Sequence, residues 1–285
     1  MILIVGATGT LGGMVTRRLL ERKKDVRVLV REGSDYESLV QAGARPVVGD
    51  LKDRASLDRA VKGVETVLTT ANSASRGGGD TVETVEIEGN RRLIDAARGG
   101  GVRRVVFTSA MGAGVDSPVP FLRGKGLAEE HLEASGVDYT ILSPNIFMEI
   151  WFGMIIGMPL QSGQPVTVIG EGNRRHSFVS IGDVAAFAAA AVDHPAARNQ
   201  QIFIGGPEPL SWNEVARRAG AVLARELPVR HVPPGEPLPG LPDVVTGLMA
   251  GMDHYDSPVD MAQTAATFGV HLTPADDVLR GLLRK

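Results

Sequence analysis

An unbroken apolar run, Met1-Ile-Leu-Ile-Val5, passes directly into Gly6-Ala-Thr8-Gly9-Thr10-Leu11-Gly12, and this junction constrains the fold more than any other stretch. Apolar residues without polar alternation read as a central parallel strand covered on both faces. Behind them, Gly6, Gly9 and Gly12 permit a tight turn, close approach of backbone to a pyrophosphate, and tight packing of helix on strand. Leu11, Val15, Leu19 and Leu20 then recur at helical spacing, so a helix N-terminus faces the turn. Its unpaired N–H groups and dipole favour a phosphate. Three glycines can serve packing alone, but a strand before them and a helix after them supply the context of a dinucleotide site.

The rest of the chain repeats this rhythm. Strands are expected at Val26–Val30, Arg45–Val48, Thr66–Thr69, Arg104–Thr108 and Tyr139–Leu142. Helices are expected around Tyr36–Ala42, Ala55–Val61, Thr81–Arg98 and Leu122–Ser135. Such alternation requires an α/β fold, a Rossmann-type doubly wound parallel sheet. Beyond Pro144 the rhythm loosens into short strands (Val166–Ile169, Phe178–Ser180, Gln201–Ile204, Val229–Val232) and helices (Val184–Val192, Trp212–Arg225, Asp276–Leu283). Proline and glycine crowd between Pro228 and Gly247. The expected division is therefore a dinucleotide-binding domain over 1–145 and a smaller α+β lobe over 146–285, with strands of the lobe able to return to the main sheet.

Composition narrows the function classes. A net charge of −3 offers no general attraction to nucleic acid or an anionic membrane. The absence of cysteine removes disulfides, thiolate catalysis and zinc-thiolate sites. The first strand begins at Met1 with no basic leader, so no signal peptide is expected and the expected location is the cytoplasm. Ile146–Leu160 is the most apolar window, but at about 15 residues it falls short of the ~20 that span a bilayer. No H-E-x-x-H, G-x-S-x-G or carboxylate cluster with metal spacing occurs, so no metal is expected.

Taken in order, Gly6-Ala-Thr-Gly-Thr-Leu-Gly12, Leu29-Val-Arg31, Gly49-Asp-Leu51 and Val105-Val-Phe-Thr-Ser109 resemble the atypical short-chain dehydrogenase/reductases. Lys125-Gly-Leu-Ala-Glu129, Ser135-Gly-Val-Asp-Tyr-Thr140, Phe178-Val-Ser-Ile-Gly-Asp-Val-Ala185 and Gly205-Gly-Pro-Glu-Pro-Leu-Ser211 extend the resemblance across nearly the whole chain. The similarity is to the NmrA-like group, with its NADPH-dependent quinone and dye reductases. It implies a reduced nicotinamide ligand and a binding cleft between two lobes.

On this reading Thr8, Thr10 and Leu11 offer backbone N–H or hydroxyl groups to phosphate. Arg31 ends the second strand, where an acidic residue would grip the adenosine ribose of NAD. A guanidinium there can pair with a 2′-phosphate, which favours NADP(H) over NAD(H); the competing reading is a surface arginine paired with Glu32. For Asp50 two readings stand: contact with the adenine amino group, as the resemblance implies, or a cap on the helix beginning near Arg54. Leu51 would wall the adenine, and Ala71, Asn72 and Ser73 would let the nicotinamide ribose and phosphate lie close. Asn90 reads as an internal bridge or cap.

Conventional members of the superfamily carry Tyr-x-x-x-Lys, one helical turn apart. Here the same five residues read Phe121-Leu-Arg-Gly-Lys125. The lysine is present and the proton-transferring hydroxyl is absent, which removes ordinary alcohol dehydrogenation and epimerisation. Lys125 then reads as a ribose ligand or a solvated helix lysine. Ser109 reads as a hydrogen-bond donor to substrate or nicotinamide, or as a plain strand terminus. His176, His254 and Tyr255 are read as structural.

An electron-poor conjugated acceptor can be reduced without that tyrosine, given alignment and exclusion of water. Phe147, Met148 and Trp151 lie just after the sixth strand and suit a flat apolar acceptor. The same segment could instead form inter-lobe core or the surface of a homodimer. Two functions follow: an NADPH-dependent reductase of quinone-like acceptors, or a non-catalytic NADP(H)-binding redox sensor.

Overall fold

The structure, a computed structural model, describes residues 1–74, 77–236 and 243–284. The crowding of proline and glycine read after Pro228 falls partly on 237–242, outside the described residues. The chain forms two compact units, Met1–Pro144 with Val184–Phe203, and Asn145–Asp183 with Ile204–Lys285. Segment 184–203, from the C-terminal half of the sequence, thus lies in the first unit.

The first unit is built on a seven-stranded sheet of order β3-β2-β1-β4-β5-β6-β8. Its strands are β1 (Ile2–Val5), β2 (Val26–Val30), β3 (Arg45–Val48), β4 (Thr66–Thr69), β5 (Arg104–Thr108), β6 (Asp138–Pro144) and β8 (Gln200–Ile204). The first six pair in parallel; Ile4, for instance, lies opposite Val28 on one side and Leu68 on the other. β1 is therefore central, and all four of its residues are buried, as an apolar run without alternation requires. From β1 the chain builds outward through β2 and β3, then returns to the other side of β1 for β4. This reversal separates the connections leaving β1 and β4 and opens a crevice at their carboxyl ends.

Helices α1 (Thr10–Glu21), α2 (Glu37–Gln41), α3 (Arg54–Ala60), α4 (Glu88–Gly99) and α5 (Pro120–Ala134) connect these strands. One core packs Leu3, Val5, Leu57, Val67, Leu93 and Phe107 together. The long helix expected from Thr81 opens with a π-helical turn, Val82–Ile87, in which Glu88 N–H reaches five residues back to Glu83 O. Thr81 and Thr84 form a capping box that fixes where it starts. Asn90 holds the turn from inside by donating to Val85 O and Glu86 O.

The second unit contains α6 (Met148–Phe152), a π-helical turn (Gly153–Gly157), α7 (Met158–Gln161) and the parallel pair β7 (Val166–Ile169) and β9 (Val229–Val232). α8 (Ile181–Ala191) carries the chain onward into the first unit. Helices α9 (Trp212–Val222), α10 (Asp243–Met252), α11 (Ala262–Phe268) and α12 (Ala275–Leu283) complete the second unit. Its core is aromatic: the Phe178 ring stands edge-on to Trp212 at 4.9 Å and to Phe152 at 5.3 Å. The strand expected at Phe178–Ser180 is not a ladder. Val179 makes one bridge to Phe147, and the Glu149 carboxylate takes Ser180 Oγ and Ile181 N–H at the start of α8. Among the described residues, no helix is long and apolar enough to cross a membrane, and no group of His, Asp and Glu could hold a metal ion.

Candidate cofactor cleft

The glycine turn divides its labour by position. Gly6 has φ +85°, and a Cβ there would stand 2.8 Å from Thr70 Oγ1 and 2.9 Å from the Ala71 nitrogen. Gly12 is tighter still, since its Cβ would meet Gly6 O at 2.2 Å. Gly6 therefore lets the turn pass against the end of β4, and Gly12 lets α1 close onto the end of β1. Gly9 differs: its Cβ would only touch Gly6 O at 3.4 Å, and its φ of −80° suits any residue. It is the N-cap of α1 and supplies no side-chain cap, and Thr8, Gly9 and Thr10 are exposed. The first-turn N–H groups of α1 thus have no protein cap, which is the arrangement an anion can complete.

An open cleft lies at this end of the sheet. Gly6 and Thr8 wall it from the turn, Arg31 and Ser34 from the segment after β2, and Gly49, Asp50 and Leu51 from the segment after β3. Ala71, Asn72, Asp80 and Val85 close it beyond β4. The structure therefore brings together in one cavity Gly6, Thr8, Arg31, Asp50, Leu51, Ala71 and Asn72, residues scattered over the first 72 positions. Gly9, Thr10, Leu11 and Gly12 form the adjoining helix start.

Arg31 pairs with Asp80, not with Glu32: Nη1 donates to Asp80 Oδ2 at 2.7 Å. Lys52 Nζ donates to the other oxygen of Asp80 at 2.6 Å and stands 3.9 Å from Asp50. The Lys52 hydrogen bond, with help from Arg31, holds the Asp80 carboxyl below the usual carboxylate range against the opposing effect of burial. The capping role considered for Asp50 belongs to Asp53, whose carboxylate accepts from Ala55 N–H at 3.0 Å. Asp50 instead accepts from Lys52 N–H, a turn closed two residues on, and keeps its carboxylate at the cleft. Leu51 is buried and offers the cleft an apolar wall.

On the other side, Ser73 is held by a buried carboxylate: Glu86 accepts from Ser73 N–H at 2.8 Å and from Ser73 Oγ at 2.7 Å. Asn72 folds back on its own backbone, donating to Thr70 O and accepting from Ala74 N–H. Lys125 is not a solvated helix lysine. It is 2 % exposed, and its Nζ donates to Thr108 O at 3.1 Å and Ala71 O at 3.3 Å, at the ends of β5 and β4. The ammonium also lies 5.0 Å from the Phe107 ring centre and 5.7 Å from that of Phe121. Burial pushes the Lys125 ammonium down to about 8. Burial likewise raises the carboxyl of Glu129, one helical turn further on. Thr108 Oγ1 is buried without a hydrogen-bond partner, while the Ser109 hydroxyl faces the Glu129 carboxylate and draws its pKa back down against burial.

In the second unit, Met148 belongs to the core at 1 % exposure, whereas Phe147 and Trp151 are only partly buried. Trp151 leans on Trp212 with ring centres 6.4 Å apart. His176 is fully buried, its Nδ1 2.7 Å from Ser257 Oγ, and Tyr255 covers its ring at 5.7 Å. Burial lowers the His176 imidazole below its usual range. Three contributors escaped the sequence reading: Asp80, Lys52 and Glu86. Asp80 had a readable signal, an acid directly after Gly77-Gly-Gly79 and before the Thr81–Thr84 capping pair. Glu86 had none, because a helix-period reading of 81–98 does not reveal a π-turn.

The profile described as the NmrA-like family matches residues 1–270. The chain is 32% identical over 234 residues to the NAD(P)H azoreductase of Xenophilus azovorans, covering 81% of this chain and 76% of that protein. The NADPH-dependent quinone oxidoreductase of Escherichia coli, solved with NADPH, superposes with a TM-score of 0.84 at 23% identity, over 99% of each chain. The Citrobacter sp. triphenylmethane reductase, complexed with NADP(H), gives a TM-score of 0.83 at 21% identity, over 99% of this chain and 100% of that one. At these identities the two solved structures show a shared fold.

Proposed function

The chain belongs to the NmrA-like family, and from that premise we propose that it is a reductase that binds NADP(H) in preference to NAD(H) and reduces quinone-like or dye-like conjugated molecules. The observation that carries the reading is the cleft where the glycine turn, Arg31, Asp50 and Leu51 meet. The residues present fit a dinucleotide. Gly12 has no room for a Cβ, Gly9 leaves the helix start open, and the buried Thr108 hydroxyl lacks a partner. Gly9, Thr10 and Leu11 would meet the pyrophosphate, Arg31 the adenosine 2′-phosphate, and Leu51 the adenine. When bound, a reduced nicotinamide supplies a hydride.

The chain's own contribution is orientation. Lys125 ties the ends of β4 and β5 together, and Glu86 fixes Ser73 beside Ala71 and Asn72. Ser109 would have to turn its hydroxyl from Glu129 to reach a carbonyl or carboxamide oxygen. Phe121 exchanges no proton, so the acceptor must take hydride without help from a tyrosine. Flat electron-poor rings meet that condition, and Phe147 and Trp151 are the candidate apolar contacts for them. The same phenylalanine favours a second reading, a non-catalytic NADP(H)-binding sensor.

NADPH oxidation followed at its absorbance band separates the two, with a panel of quinones, azo dyes and enones. Turnover well above the uncatalysed rate with at least one acceptor is expected. NADPH binding without turnover on any of them overturns the reductase and leaves the sensor. Cofactor preference is read from Kd: Arg31→Ala is expected to weaken NADPH about tenfold and NADH little.

A further inference from the structure

We propose that Asp80 sets the cofactor preference of this chain, acting as an internal anion that competes with the adenosine 2′-phosphate for Arg31 and Lys52; this rests on reading the cleft as a dinucleotide site with Arg31 at its adenosine end. The cation that best distinguishes NADP(H) from NAD(H) already has an anionic partner. One Asp80 oxygen takes Arg31 Nη1 and the other takes Lys52 Nζ, so a single carboxylate engages both cations at this end of the cleft. Only 9% of the Asp80 side chain is exposed, whereas 40% of Arg31 and 37% of Lys52 are. The acid is set into the wall and the cations reach across to it.

The position is built rather than accidental. Asp80 immediately precedes the Thr81 cap, whose hydroxyl binds Thr84 N–H, and Thr84 Oγ1 in turn binds Gly79 O. Asp80 N–H closes a turn onto Gly77 O, where Gly77 and Gly78 hold positive φ. The carboxylate is thereby fixed from both sides in sequence.

Charge decides the consequence. Asp50 lies 3.9 Å from Lys52, so two cations face two carboxylates and the cluster carries no net charge. A 2′-phosphate meets an arginine already engaged, and drawing it away leaves Asp80 one cation short beside the phosphate, whereas a ribose 2′-hydroxyl meets neither penalty. Asp80 therefore narrows the preference that Arg31 creates. Removing its charge leaves a net cation where the phosphate arrives, and the gain falls on NADPH alone.

The test measures Kd for NADPH, NADH, adenosine 2′,5′-bisphosphate and 5′-AMP by calorimetry. It uses wild type, Asp80→Asn, Asp80→Glu and Arg31→Ala in the full chain. In Asp80→Asn, NADPH and the bisphosphate are expected to bind about three- to tenfold tighter. NADH and 5′-AMP should change less than twofold, so the NADPH/NADH affinity ratio rises. The salt dependence of NADPH binding should steepen. Asp80→Glu, which keeps the charge, should return the ratio toward wild type. Unchanged ratios, or weaker NADPH binding in Asp80→Asn, overturn the proposal and make Asp80 an organiser of Arg31. An Arg31→Ala chain that binds NADPH as wild type does overturns the parent reading instead. If Asp80→Asn melts early, Asp80→Ser is measured in its place with the same outcomes.

Discussion

Lys125 is a cation enclosed by two carbonyl oxygens and two aromatic rings, and its burial makes it a reporter of the site's protonation. The ammonium is pushed from 10.5 in the unfolded chain to about 8 in the folded one. Between those values the unfolded chain holds a proton that the folded chain has released, so stability rises with pH across that window. Urea titrations of wild type and Lys125→Met at pH 7 and pH 10 isolate the effect. The difference between the two should move in favour of wild type by about 2–3 kcal/mol at the higher pH. A difference that does not move with pH would mean the lysine is effectively solvated. At this scale the sequence was partly legible. Lys125, Arg31 and Leu51 could be named because each follows a strand end or sits one turn from a missing partner. Asp80 was marked locally by the glycines before it and the capping pair after it, but its pairing with Arg31 was not legible, because the two lie 49 residues apart and only the return of the chain beside β4 brings them together.

Elements of the first unit were largely readable, because apolar runs and helical periods are local, whereas α10 (Asp243–Met252) and α11 (Ala262–Phe268) of the second unit were not read. β2, β3, β4 and β5 lie where periodicity put them. Two misreadings arose where a side chain overrode the local pattern: Glu149 capturing Ser180 and Ile181, and Asn90 holding a π-turn inside a helical sequence. The turn between β1 and α1 yields a sharper expectation, because its glycines fail differently. Gly12→Ala drives a methyl to 2.2 Å from Gly6 O, so both fold and binding should suffer, with a loss of about 1–3 kcal/mol. Gly9→Ala meets only a 3.4 Å contact at an ordinary φ, so its thermal midpoint should stay within a degree or two of wild type. Its NADPH affinity should nevertheless fall at least tenfold if the backbone at Gly9 lies against the pyrophosphate. Melting curves beside binding isotherms test this, and a Gly9→Ala protein that binds normally removes the phosphate from that part of the turn.

At the scale of the molecule, chain order and compact units do not coincide. Segment 184–203 crosses back into the first unit, and its attachment is polar as well as apolar. Arg104 donates to the carbonyls of Ala191, Val192 and His194, and Thr140 Oγ1 donates to Ala197 O from a buried position. Asn199 pairs with the Tyr139 N–H, and Arg22 and Lys24 both reach Asp193. A fragment ending at residue 145 keeps the glycine turn and every cleft residue but loses β8 and all of these partners. It then exposes β6 as an unpaired edge, with the buried Thr140 hydroxyl left unbonded. Such a fragment is expected to aggregate or melt without a cooperative transition. Joining 1–144 to 184–203 through a short glycine-serine linker should restore a cooperative melt, and saturating NADPH should raise its midpoint by several degrees. If 1–145 alone melts cooperatively and shifts with NADPH, the returning segment contributes nothing that the first 145 residues lack. If neither fragment melts cooperatively, the first unit is not an independent folding unit even with 184–203 restored.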